Sequence, residues 1–214
     1  VLLLNPDQWE EFILAAARQR ALPGGTRYAT AKRLGGAGDG GRDIEARYGP
    51  ALVRDGWDLY QAKHYKQGLT QSEAFPEMAK FFKQLALKTY PRPNYYYLCC
   101  PHAVGNELHN TMAAGAPAFK AKFVDAWKNE HTGMKGRAAE LTNDVQAAID
   151  DFDFDRFIEC RYTTCWPGTR STKPLTISCS VSCLNAATMI RCPSCPRGTR
   201  ACMSTSCCAS TPNT

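Results

Sequence analysis

The last 54 residues of the chain contain no aspartate and no glutamate. Nowhere does an apolar run approach the roughly 20 residues that a membrane-spanning helix needs. Histidine is scarce, at four residues, and His102 and His109 lack the spacing of a metal-binding pair. The first residues, Val1-Leu2-Leu3-Leu4, carry neither the basic start nor the small-residue cleavage site of a secretory signal. These absences argue against membrane insertion, a histidine-built metal centre and export. The expectation is a soluble, cytoplasmic protein.

What the chain does contain falls into two parts. Of 214 residues, 26 are Lys or Arg, 20 are Asp or Glu and 11 are Cys. A net charge of +6 invites a nucleic-acid reading, and the cysteines invite zinc or disulfides. Both averages mislead. Residues 1–160 hold 20 basic and 20 acidic side chains and are neutral. Residues 161–214 hold the remaining six basic groups, eight of the cysteines and eighteen Ser or Thr. The chain therefore reads as a globular domain, 1–160, and a Cys/Ser/Thr-rich tail, 161–214.

The domain alternates helical and extended patterns. Asn5, Pro6 and Gln8 form a helix start with a capping box, and Trp9, Phe12, Ile13 and Ala16 make one apolar stripe over 5–20. Strands are expected at 27–34, 43–48 and 57–65. The run Gly35-Gly36-Ala37-Gly38-Asp39-Gly40-Gly41 between the first two must be a loop, because glycine gives up the most entropy in a regular element. Gly49 to Gly56 reads as a turn region. A second helix is expected from a Ser72 cap, through Phe75, Met78, Ala79, Phe82 and Leu85. Tyr95 to Cys100 suits a buried strand, with Cys99 and Cys100 as core thiols. Shorter helices follow at 105–114, 118–129 and 137–149, and the alternation from Phe152 to Phe157 suggests a last strand. The class is α/β, a sheet with helices on both faces.

Chemistry concentrates at three positions. Asp43 opens the second strand directly after the glycine loop. Gln61 and Lys63 share one face of the third. If those strands pair, a carboxylate, an amide oxygen and an ammonium converge at one sheet edge. Carboxylate and carbonyl oxygens are hard ligands suited to Mg²⁺ or Mn²⁺. A lysine beside them can orient or deprotonate water and offset charge on a phosphorane-like transition state.

The residues Gly35-Gly36-Ala37-Gly38-Asp39-Gly40-Gly41-Arg42-Asp43, followed by Gln61-Ala62-Lys63-His64-Tyr65, resemble the PD-(D/E)XK nuclease superfamily. The resemblance is to its Mrr-like branch, where glutamine replaces the acid of the last motif. With Trp57-Asp58, the Tyr-rich strand ending at Pro101 and Asp151-Phe152-Asp153-Phe154, residues 5–160 look like the N-terminal endonuclease domain of ABC-three-component, CD-NTase-associated anti-phage proteins. The resemblance implies a restriction-endonuclease-like three-layer core with a central mixed four-stranded sheet. It implies a metal-dependent DNA endonuclease, with Asp43 and Gln61 as metal ligands and Lys63 as the catalytic lysine. Because a neutral Gln61 oxygen binds Mg²⁺ less strongly than a carboxylate, another acid is expected to help, and Asp39 and Glu10 are the candidates. Double-stranded DNA would be gripped by Lys32, Arg33, Arg42, His64 and Lys66, with Arg47, Arg54, Lys80, Lys83, Lys120 and Lys122 extending the rim. His64 alternates away from Lys63 and is read as structural or as a DNA contact. A neutral domain holds DNA weakly, so an ATPase or other defence-system partner, or a homo-oligomer, is expected to assist. The rival from another class is a catalytically silent scaffold that binds nucleic acid or an ATPase, with zinc in its tail.

For the tail, Cys179, Cys183, Cys192 and Cys195 have zinc-ribbon-like spacings. Disulfides conflict with an intracellular setting. Neither accounts for the missing acids. A third reading is out-of-frame translation. Thr163-Thr164-Cys165-Trp166-Pro167-Gly168-Thr169, re-read from each third codon base, admits Asp-Leu-Leu-Ala-Arg-His, a good helical sequence. A tail of that origin would be disordered and carry no selected function.

Overall fold

The computed structural model describes residues 3–36 and 39–160. The frameshift, zinc and disorder expectations for 161–214 lie outside the described residues. No helix among the described residues is long and apolar enough to cross a membrane.

Helix α1 (Pro6–Gln19) begins as its sequence requires, with the Asn5 side chain accepting from Gln8 N and the Gln8 side chain accepting from Asn5 N. Three antiparallel strands follow: β1 (Thr30–Arg33), β2 (Ile44–Arg47) and β3 (Trp57–Ala62). Between β2 and β3, where only a turn was expected, lies a one-turn helix, α2 (Leu52–Asp55). Helix α3 (Gln71–Ala86) leads to β4 (Tyr96–Cys99), which pairs parallel with β3. The second cap is Thr70 rather than Ser72. Its partner Glu73 falls three positions on and closes a capping box, which Ser72 could not do. Helices α4 (Asn106–Ala113), α5 (Ala116–Lys128) and α6 (Asn143–Asp151) complete the domain with β5 (Phe157–Cys160), parallel to β4.

The sheet is mixed and five-stranded, in the order β1-β2-β3-β4-β5. The four-stranded sheet implied by the resemblance is corrected to five, the fifth being the last strand that the alternation near Phe157 suggested. The last strand also begins later than the alternation suggested. Phe152 and Phe154 are both buried, yet they belong to the end of α6 and a short 3₁₀ turn, in which Asp153 accepts from Asp155 N. A turn that buries every second residue imitates strand periodicity.

Helices cover both faces. Ile44, Ala46, Tyr60, Ala62, Tyr97 and Cys99 pack with Trp9, Ile13, Leu14 and Ala17 of α1. On the other side Trp57, Leu59, Tyr96, Leu98 and Phe157 pack with α3, α4, α5 and α6. That second layer is strongly aromatic. Phe75, Phe81, Phe82, Phe119, Phe123, Phe152 and Phe154 are all buried there. Each fully buried ring contributes on the order of 2 kcal/mol, which fixes α3 firmly on the sheet.

Candidate active site

The β2–β3 pairing sets Ile44 opposite Tyr60, so Asp43, one residue before β2, comes beside Gln61. Gln61 Nε2 donates to Asp43 Oδ2 at 2.7 Å, and the backbone N–H of Ala62 donates to the same oxygen at 2.8 Å. Lys63 lies just past β3, but its N–H donates to Cys99 O at 2.8 Å, continuing the ladder and fixing its backbone. Its Nζ stands 3.6 Å from Asp43 Oδ2. The expected convergence of Asp43, Gln61 and Lys63 is therefore present.

The glycine loop makes this geometry accessible. Gly40 and Gly41 adopt φ of +65° and +78°, conformations that L side chains resist. Tyr90 Oη donates to Gly40 O, and a Cβ at Gly40 would lie 3.1 Å from the Tyr90 ring. Leu34 N donates to Asp43 O at 2.9 Å, closing the loop where Asp43 begins.

One member of the cluster escaped the sequence reading. Glu77, on α3, places Oε2 3.4 Å from Lys63 Nζ, while its Oε1 takes Lys80 Nζ at 2.8 Å. A signal did exist. The helical neighbours of Glu77 at i−3 and i+4, Ala74 and Phe81, are apolar, so the carboxylate lies on the edge of the face that α3 turns to the sheet.

The electrostatics follow from burial. Asp43 is only 8% exposed, and burial pushes its carboxyl up to about 6, against the pull of Lys63 and the Ala62 N–H. Burial draws Lys63 down, but the carboxylates of Asp43 and Glu77 outweigh it and leave the ammonium above its usual range. This lysine is a stable cation, suited to holding charge and orienting a proton donor rather than to accepting a proton. Gln61 Oε1 accepts from Tyr96 Oη at 3.2 Å. Rotating the amide by half a turn would send its oxygen toward Asp43 and its nitrogen toward the Tyr96 oxygen, which can also accept.

No protein-family model, no curated protein and no solved structure matches this chain.

The two helper acids differ. Asp39 Oδ1 accepts from Gly41 N at 2.7 Å, a turn contact within the loop, and none of its contacts reaches Asp43. Glu10 lies closer: its charge is felt by Asp43, and its Oε2 is 3.7 Å from a Cβ built at Gly35. It is, however, ion-paired to Arg33, which also holds Asp7 and Glu11. No group of three His, Cys, Asp or Glu among the described residues is arranged to hold a metal.

The expected basic rim is largely spent on internal pairs. Arg42 pairs with Glu45 and lies 4.5 Å over the Tyr90 ring, while Arg47 takes the other oxygen of Glu45. Arg54 holds Asp55, Lys83 holds Glu140, Lys122 holds Glu107, and Lys120 donates to Asp150 O. Lys32 and Lys66 are exposed and make no ion pair among the described residues. Lys32 sits opposite Glu45, on the sheet face that carries Asp43. His64 turns to the α1 face, its ring 6.1 Å from that of Trp9. Cys99 and Cys100 are buried free thiols, raised by that burial.

Proposed function

We propose that residues 1–160 form a metal-dependent endonuclease domain that hydrolyses phosphodiester bonds in double-stranded DNA, on a restriction-endonuclease-like core. The observation that carries this reading is the meeting of Asp43, Gln61 and Lys63 at one edge of β2 and β3, with the Asp43 carboxyl raised by burial. A buried acid with a perturbed pKa and a specific charged partner is a candidate functional group, and the unused Asp43 Oδ1 sets it apart from a purely structural carboxylate.

The donor set fits a hard divalent cation. Asp43 Oδ1 takes no hydrogen bond among the described residues, and a half-turn of the Gln61 amide would set its oxygen beside the Asp43 carboxylate, at Oδ2. Asp43 and Gln61 would hold Mg²⁺ or Mn²⁺, which when bound supplies Lewis acidity toward the phosphodiester. The rest falls to the chain itself. The Ala62 N–H fixes the Asp43 carboxylate, and Tyr96 fixes Gln61. The Lys63 ammonium offsets negative charge developing on the phosphoryl oxygens and orients the attacking water. Lys32 and Lys66 supply phosphate contacts. With so few unspent cations, the domain depends on a partner ATPase or on self-association for tight DNA binding. The anti-phage defence setting rests on the sequence resemblance alone.

The test is cleavage of supercoiled plasmid by the full chain with Mg²⁺ or Mn²⁺. Asp43→Ala and Lys63→Ala should each reduce the rate about 10³-fold. Cleavage untouched by both changes would remove the site. No cleavage with either metal would favour the silent scaffold.

A further inference from the structure

We propose that Glu77 is a positioning residue that retains Lys63 in the site once the charge of Asp43 is taken up by a bound cation. This inference rests on the nuclease reading above and gives α3 a part in it.

The Lys63 ammonium lies between two carboxylates carried on different elements, 3.6 Å from Asp43 and 3.4 Å from Glu77. Its attraction to Asp43 is Coulombic and lasts only while Asp43 carries an uncompensated charge. A divalent cation on Asp43 cancels that charge and sets a like charge beside the ammonium, so attraction becomes repulsion. A lysine on a flexible four-carbon stem would then swing to solvent, where it is better hydrated. The catalytic arrangement would lose its cation at the moment it was completed.

Glu77 makes no hydrogen bond with Asp43, although its charge is felt there. It approaches Lys63 from α3, and Asp43 approaches from the strand side. Its own orientation is fixed, since Lys80 holds Oε1 at 2.8 Å and leaves Oε2 to Lys63. An ordinary surface Glu–Lys pair would be open to water and contribute little. Here the Glu77 side chain is 16% exposed and that of Lys63 23%, so the interaction is only partly screened. The position is also stable, because Phe75, Met78 and Phe81 bury the same stretch of helix in the aromatic layer.

The test compares the full-length wild-type chain with Glu77→Gln, which keeps shape and removes charge, and Glu77→Asp. Lys63 acylation by an amine-reactive ester is followed by mass spectrometry at one fixed pH, with and without Mn²⁺. Mn²⁺ affinity is measured by calorimetry, and kcat and KM on plasmid DNA. In Glu77→Gln, Lys63 should react several-fold faster, and the increase should be larger with Mn²⁺, while Lys32 and Lys66 stay unchanged. Mn²⁺ affinity and KM should stay within about 2-fold, and kcat should fall about 10- to 100-fold. Glu77→Asp should recover part of both effects. Unchanged Lys63 reactivity in Glu77→Gln would overturn the proposal, as would loss of Mn²⁺ affinity, which would make Glu77 a ligand instead. Absence of Mn²⁺ binding by the wild type would overturn it too. Absence of plasmid cleavage by the wild type alone would strike the nuclease reading, and Lys63 acylation would still decide the role of Glu77.

Discussion

Two buried aspartates sit on opposite faces of the same strand pair, and their surroundings differ in kind. Asp58 is fully enclosed on the α1 side. Its Oδ2 accepts from the hydroxyls of Tyr28 and Tyr48, and its Oδ1 accepts from Tyr95 N at 3.2 Å. Tyr28 bonds Tyr60, and Arg20 reaches the Tyr60 hydroxyl at 2.9 Å while its guanidinium lies 4.4 Å over Tyr97. Every acceptor there is used. Asp43, on the α3 side, has one oxygen accepting twice, one oxygen with no donor among the described residues, and a long-stemmed lysine for a neighbour. Burial raises both carboxyls. Burial and a raised pKa are therefore shared by scaffold and site. Unspent acceptor capacity beside a movable cation separates them.

Three experiments press on this contrast. Asp58→Ala should cost about 3 kcal/mol in urea unfolding, because three donors lose their acceptor inside the protein, and any loss of cleavage should track unfolding. If Asp58→Ala instead abolished cleavage at full stability, the two aspartates would have exchanged roles. A smaller effect of opposite sign is expected at Asp43. Its folded pKa of about 6 exceeds the unfolded value near 4, so the folded state binds the proton more tightly. Stability is fully present below about pH 4, falls as pH rises to about 6, and levels off beyond. Asp43→Asn has no proton to release, so above pH 6 it should be more stable than wild type by about 1–3 kcal/mol, and Mg²⁺ should narrow the gap by stabilising only the wild type. Melting curves across pH check this, and a gap that opened on acidification would refute it. The smallest effect belongs to the rim. Lys32→Ala and Lys66→Ala should each raise KM for DNA by about 3-fold and flatten its salt dependence, with kcat unchanged.

Much of this architecture was legible beforehand because local signals carried it. The Asn5–Gln8 capping box fixed the start of α1, and alternation placed β2 and β3 closely enough to bring Asp43 beside Gln61. The failures share a cause: tertiary packing that imitates or hides a local pattern. Phe152 and Phe154 alternate like strand residues because the end of α6 and the 3₁₀ turn after it bury one each. Glu77 stands between apolar helical neighbours, yet its meeting with Lys63 emerges only when α3 is laid on the sheet. The pairing of Arg33 with α1, and of Arg42 with Glu45, likewise emerges only in three dimensions, and it removes charges that the sequence counts as available to DNA.

The strands lie in the sheet in the order in which they occur in the chain. Asp43, Gln61, Lys63 and Glu77 consequently fall within one uninterrupted stretch, on a β-meander and the helix that follows it. Closing that stretch requires only short-range loops, so its entropic cost is low. During synthesis it emerges before β4 and β5 exist to flank it. The four side chains of the cluster are thus encoded in one early segment, and β4 adds the Cys99 carbonyl and the Tyr96 hydroxyl that hold Lys63 and Gln61 in place. The remainder of the chain to Cys160 completes the aromatic layer that α3 begins.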